Sequence, residues 1–210
     1  MDWVLFSSGL ILAYLLGSIP TAVWLGKRFY GIDIRNEGSG NAGATNTIRV
    51  LGIKAGIPVI LVDVLKGTLA VYLMGLLMPQ SLTGNQGIYF QMLAGFLAVI
   101  GHVFPVFASF RGGKGVGTLL GIGIALYPTA IWVPVAVFIV ILLSSGYVSL
   151  GSLIAGLSFP LTDIFLFHDP NTGRQILSVV AALFLIYTHR QNIIRLSKGE
   201  ENRFHFWKKK

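Results

Sequence analysis

The sequence predicts an all-α membrane bundle of about seven transmembrane helices, with the N-terminus outside and the C-terminus in the cytoplasm. Three observations predict it. Of 210 residues, 54% are hydrophobic and 11% charged, with a mean hydropathy of +0.74, whereas a soluble domain carries roughly a quarter charged residues. Sixteen Lys and Arg with eight Asp and Glu cannot cover a water-facing surface on so apolar a chain, so lipid solvates most of it. The basic residues fall in alternate loops, the distribution expected of cytoplasmic segments. The net charge of +8 then belongs to loops facing anionic lipid, and the apolar bulk between the basic clusters argues against a nucleic-acid partner.

Stretches of ~20 apolar residues, the length that crosses a bilayer, occur at Trp3–Gly26, Ala55–Met78, Ile88–Phe110, Val148–Phe167 and, somewhat shorter, Gln175–Thr188. The first begins after Asp2 with no basic segment before it, which argues against a cleaved signal peptide. The first loop carries Lys27, Arg28, Arg35, Arg49 and Lys54, the loop from Pro79 to Gly87 carries no basic residue, and the third carries Arg111 and Lys114. The segment between the last two spans has only Arg174, and the tail runs from Arg190 to Lys210 with seven basic residues. The first loop, the third loop and the tail are therefore cytoplasmic. An even number of spans must join the third loop to the tail, so Val116–Ser145, with Pro128 near its middle, divides into two short spans. A single kinked helix is the alternative. The whole chain, 1–210, reads as one transmembrane domain. It contains no cysteine, which excludes disulfides and Cys-based chemistry.

Small residues recur at spacing four in Gly113, Gly117 and Gly121, in Gly52 with Gly56, and in Ser152 with Gly156. Such rows let helix backbones approach closely in lipid.

Polar residues mark the candidate chemistry. The first loop reads GSGNAGATN, Gly38 to Asn46, with Arg49 following. Its glycines let backbone amides converge. Ser39, Asn41, Thr45 and Asn46 add short hydrogen-bonding groups, and a helix starting near Ala44 would aim its N-terminus at the loop. This is an anion cradle suited to phosphate, without the GKS or GKT of a Walker A loop. The third loop, RGGKGVGT from Arg111 to Thr118, has four glycines among its first seven residues and offers Lys114 to a phosphate. Asp63 and Lys66, three residues apart inside the second span, share a helix face as a buried ion pair or as site residues. His102 and His189 sit at cytoplasmic span ends, the latter beside Arg190 and Asn192, whereas His168 and His205 have no such company. The sequence shows no metal-ligand spacing, no GxSxG elbow and no HxxxxD dyad. Phosphate binding without nucleophile or metal suggests transfer from an already activated donor, assisted by positioning and electrostatics.

The segments GSIP (17–20), DIRNEGSGNAGATNTIR (33–49), DVLKG (63–67), GHVFPVFASFRGGKGVGT (101–118), YVSLGS (147–152) and HRQNIIRLSKGEENRF (189–204) together resemble the bacterial acyl-phosphate:glycerol-3-phosphate acyltransferase family over nearly the whole chain. Gly117 departs from the alanine of the family's GGKGVAT pattern. The resemblance implies a multi-pass enzyme of the bacterial inner (plasma) membrane with its active site at the cytoplasmic face. It implies transfer of a fatty acyl group from long-chain acyl phosphate to the 1-hydroxyl of sn-glycerol 3-phosphate, giving lysophosphatidic acid and inorganic phosphate with no cofactor and no metal. On this reading Ser39, Arg49, Lys114, His189 and Asn192 hold glycerol 3-phosphate. Gly38, Gly40, Asn41, Gly43, Ala44, Thr45 and Asn46 line the acyl-phosphate cradle. Gly112, Gly113, His102, Asp63 and Lys66 complete the binding set. The proton goes to a phosphate oxygen of the donor or to His189, and membrane lipid surrounds the acyl groove. Whether a donor-producing acyltransferase partner docks at the basic tail stays open. The rival readings are an anion channel or transporter, and a scaffold binding anionic lipid.

Overall fold

The computed structural model describes residues 3–78 and 85–204, and the uncharged loop near Pro79 and the terminal Lys208–Lys210 run lie outside them. Among the described residues, regular structure is wholly helical. Two compact units divide between Tyr127 and Pro128.

The first unit contains α1 (Trp3–Gly17), α2 (Thr21–Tyr30), α3 (Ala44–Leu51), α4 (Ile53–Leu77), α5 (Asn85–Val103) and α6 (Val116–Leu126). The predicted continuous span Trp3–Gly26 is instead α1 and α2, bent by 45° at Ser18–Pro20. Pro20 has no N–H to continue the helical ladder. The predicted span Ile88–Phe110 likewise stops as an α-helix at Val103, two residues before Pro105, and continues as a short 3₁₀ turn, Val106–Ala108.

α4 shows how this unit suits lipid. Leu61, Leu65, Leu69, Tyr72 and Leu76 are exposed along one face, while Val59, Asp63, Lys66, Ala70 and Met74 are buried on the other. The exposed stripe is the apolar one, the reverse of a soluble helix. Small residues set the contacts. A Cβ on Gly67 would strike the carbonyl of Thr118, and one on Gly121 that of Val64, so α4 and α6 pack backbone against backbone. Of the predicted rows, the one through Gly117 and Gly121 serves this contact. The Gly52–Gly56 row does not form, because Gly52 lies between α3 and α4 at φ 91° and only Gly56 packs, against Ile48.

The second unit contains α7 (Trp132–Ser145), α8 (Val148–Leu161), α9 (Thr172–Thr188) and α10 (Arg190–Ser197). Gly151 packs on Phe138 of α7, and Gly156 on Leu185 of α9. Ser152, its expected companion, instead bonds its own helix at Val148 O, 2.9 Å. A π-helical turn, Thr162–Leu166, ends α8. Arg174, the lone basic residue of this connection, pairs with Asp169 at 2.8 Å.

The segment Val116–Ser145 is therefore two helices, with the break where Pro128 stands. They have 11 and 14 residues, or ~16 and ~21 Å, short of a ~30 Å hydrocarbon core. Three helical segments are long and apolar enough to cross a membrane: Ile53–Leu77, Gln86–Ala108 and Val148–Leu166. Counting each bent pair, α1 with α2 and α9 with α10, as one span raises the number to five.

Candidate active site

In the first unit the glycine-rich loop is built around Asn46. This side chain is 1% exposed. Its Nδ2 donates to Ile34 O at 3.0 Å and Glu37 O at 2.9 Å, and its Oδ1 accepts from Ser39 N at 2.8 Å. Both amide hydrogens are spent on the loop, so the Asn46 side chain shapes the cradle. Gly38 and Gly40 adopt φ 58° and 71°, left-handed conformations that glycine takes at little cost. Asn41 folds its side-chain oxygen against Gly43. As the sequence predicts, α3 starts at Ala44. Its first bond is Thr47 N to Gly43 O at 3.1 Å, which leaves the amides of Ala44, Thr45 and Asn46 aimed ahead of the helix. Ser39 and Thr45 are half-buried at the loop, and Arg49 is half-buried in the last turn of α3.

The third loop folds back onto α5. Gly112 N donates to Val103 O and Gly113 N to His102 O, each at 3.1 Å. These two amides are therefore engaged by carbonyls at the end of α5. Both residues are glycines because a Cβ would strike the His102 carbonyl or the His102 ring. The first turn of α6 follows Gly115 at φ 83°, and its first bond is Leu119 N to Gly115 O, so its leading amides have no acceptor within the helix. Half-buried Lys114 stands beside them.

Beneath this loop, Asp63, Lys66 and His102 form a buried cluster with exposures of 5%, 3% and 6%. Lys66 Nζ lies 2.7 Å from Asp63 Oδ1, and His102 Nδ1 lies 3.5 Å from the same oxygen. Lys66 also donates to Ile19 O at 3.1 Å, in the break between α1 and α2. The three side chains are bonded to one another and to the backbone around them, with the His102 ring packed against Gly113 of the loop. A buried charge is tolerable only when paired in this way.

Arg35 and Asp33 escaped the reading from sequence, which took Arg35 only as a cytoplasmic charge. The Arg35 guanidinium grips Asp33 through Nε at 2.9 Å and Nη2 at 2.6 Å, while Nη1 donates to Ala108 O at 2.8 Å. It thereby joins the first loop to the third. Arg35 holds the Asp33 carboxyl well below the usual carboxylate range, and Asp33 in turn raises the Arg35 guanidinium.

In the second unit, His189 is 2% exposed between α9 and α10. Its Nδ1 lies 2.9 Å from Leu185 O. A carbonyl only accepts, so Nδ1 carries a proton, and in the singly protonated ring Nε2 is the acceptor nitrogen. Asn192, 4% exposed, donates to Glu201 Oε1 at 3.0 Å, and Arg195 Nε donates to Glu201 Oε2 at 2.9 Å. Glu201 was missed as an individual residue, since nothing in the sequence says that the tail turns back on α10. His168, given no role, has a left-handed φ of 49° in the α8–α9 connection, and His205 lies outside the described residues. Among the described residues, no three His, Asp or Glu side chains converge as metal ligands would.

The family model described as glycerol-3-phosphate acyltransferase matches residues 8–199. The chain belongs to the glycerol-3-phosphate acyltransferase family. A member from Listeria monocytogenes is 46% identical over 194 residues, covering 91% of this chain and 92% of the relative. One from Chlorobaculum tepidum is 42% identical, covering 97% and 98%. The chain also resembles the crystal structure of PlsY (YgiH), an integral membrane glycerol 3-phosphate acyltransferase, in its glycerol 3-phosphate form. There the TM-score is 0.82 at 38% identity, covering 95% of this chain and 96% of that one. Against the lysophosphatidic acid form of PlsY the TM-score is 0.80 at 37% identity, covering 95% of each chain.

Proposed function

We propose that this protein transfers a fatty acyl group from acyl phosphate to the 1-hydroxyl of sn-glycerol 3-phosphate, releasing lysophosphatidic acid and inorganic phosphate. The observation that carries the reading is the joining of the first and third loops by Arg35. It sets two phosphate-suited segments, the start of α3 and the start of α6, on one support. Family membership across residues 8–199 favours glycerol 3-phosphate as acceptor.

Ser39, Arg49, Lys114, His189 and Asn192 hold glycerol 3-phosphate by its phosphate and hydroxyls. The amides ahead of α3, with Gly40, Gly43 and Thr45, hold the donor's phosphate. The 1-hydroxyl oxygen attacks the acyl carbonyl carbon, a tetrahedral intermediate forms, and the carbon–oxygen bond to phosphate breaks. The proton leaves the attacking hydroxyl for a phosphate oxygen of the donor, with His189 Nε2 as the alternative acceptor. Positioning and charge stabilisation supply the catalysis. The donor assignment is what the resemblance of the motif segments implies, and the absence of an HxxxxD dyad and the loop chemistry agree with it.

The whole chain serves as one transmembrane unit of about seven spans in the bacterial inner membrane, with the loops and tail in the cytoplasm. Alternation of the basic loops supports this orientation. The acyl chain lies in lipid or in a groove continuous with it, and a donor-producing acyltransferase is a natural upstream partner.

The test is phosphate release by purified protein in detergent with EDTA, given palmitoyl phosphate and glycerol 3-phosphate, with palmitoyl-CoA as a competing donor. Release that requires glycerol 3-phosphate, with no transfer from the thioester, is expected. Transfer from the thioester would overturn the donor assignment, and no release from folded protein would overturn the activity.

A further inference from the structure

We propose that Arg35 is a positioning residue that sets the spacing of the first and third loops, and so determines whether Ser39 and Lys114 can serve one phosphate-bearing substrate. The proposal rests on the function proposed above only for its kinetic consequence. Its structural content stands alone.

The geometry is that of a fastener gripped at both ends. On one side, Asn46 holds the carbonyls of Ile34 and Glu37, the residues that flank the short turn carrying Arg35. Asp33 then orients the guanidinium through two of its nitrogens and caps Arg35 N at 3.1 Å. Lys27 supports Asp33 from the end of α2 at 3.3 Å. On the other side, Nη1 takes the carbonyl of Ala108 at 2.8 Å and approaches that of Arg111 at 3.5 Å. Those two carbonyls bracket Ser109 and Phe110, which adopt left-handed φ of 52° and 58°. Two consecutive non-glycine residues there are strained and persist only where their surroundings hold them. Arg111 is followed directly by Gly112, Gly113 and Lys114. The Arg35 side chain is 14% exposed, so water competes weakly for these bonds.

Lysine cannot replace it. Two separate groups are engaged by a planar fork, two nitrogens on a carboxylate and one on a carbonyl, and a single ammonium cannot reproduce that geometry. Arg35→Lys therefore keeps the charge and loses the spacing, which separates positioning from simple electrostatic attraction.

The absence of cysteine makes the spacing measurable. Spin labels on Asn36→Cys and Ser109→Cys, both exposed positions, report the separation of the two loops in the full chain in detergent. The expected result is a narrow distance distribution with Arg35 and a broadened or shifted one in Arg35→Lys and Arg35→Ala. In unlabelled protein, Arg35→Lys is expected to raise KM for glycerol 3-phosphate by ~10-fold or more while changing kcat less, with its melting temperature near that of the parent. If Arg35→Ala does not fold, Arg35→Lys and Asp33→Asn carry the test. An unchanged distance distribution in folded Arg35→Lys overturns the proposal. An altered distance with unchanged KM overturns its link to substrate. A parent protein inactive with glycerol 3-phosphate would sink the proposed function, and the distance distributions would then decide the positioning role by themselves.

Discussion

Lys66 donates to the carbonyl of Ile19 across 3.1 Å. That carbonyl lies where Pro20 interrupts α1 and α2, so it has lost its place in a helical ladder. An ammonium already paired with Asp63 adds a second donor beside Thr21 N, which lies 3.1 Å from the same carbonyl, and this gives the buried charge a structural purpose within an apolar bundle.

Lys66→Met takes the ammonium away from Asp63 and leaves the Ile19 carbonyl to Thr21 N. Breaking a buried pair from one side costs about 3–5 kcal/mol. The detergent-solubilised variant should melt well below the parent, and Asp63→Asn with Lys66→Met should recover part of the loss. A melting temperature equal to the parent's would remove the cluster from the protein's support.

Asn46→Ala empties the centre of the first loop, leaving the carbonyls of Ile34 and Glu37 to the amides of Glu37 and Gly40 alone and orphaning the amide of Ser39. Each buried group left unmet costs about 1–3 kcal/mol. Acyl transfer should fall by at least ~100-fold if loop shape determines activity. Asn46→Asp, which has no hydrogens for Ile34 and Glu37, should do no better. A near-normal rate in either variant would show that the loop holds its shape without this side chain.

His189→Gln keeps a polar side chain and loses the acceptor nitrogen that the Leu185 bond presents. With the donor phosphate taking the proton, KM for glycerol 3-phosphate should rise while kcat changes less. A collapse of kcat at constant KM would instead make His189 the base.

Asp33 ties pH to stability. Its carboxyl is held below its ordinary range, chiefly by Arg35. It therefore adds stability above the unfolded value of ~3.9, and that stability is lost as pH falls below it toward the lower folded value. Acid melting curves from pH 6 to 2.5 should show a steeper loss for the parent than for Asp33→Asn. Parallel curves would count against a stabilising role for the ion pair.

Composition and residue order alone were enough to indicate a membrane chain, the family resemblance, the start of α3 at Ala44 and the division of Val116–Ser145 into two helices. These depend on apolar content, on Pro128 and on a run of amides after Gly43, all of which are local properties. The sequence also pointed to Asn46, Gly112, Gly113, Asp63, Lys66 and His102, but it could not separate groups that meet a substrate from groups that shape the loops. That separation depends on where each hydrogen bond goes. Asn46 spends its hydrogens on carbonyls 12 and 9 residues away, and Arg35 reaches a carbonyl 73 residues away. No spacing rule encodes partners at such distances. Only the packed helices bring Ile34 to Asn46, Ala108 to Arg35 and Ile19 to Lys66, because a buried polar group gains most from a partner wherever the fold places one.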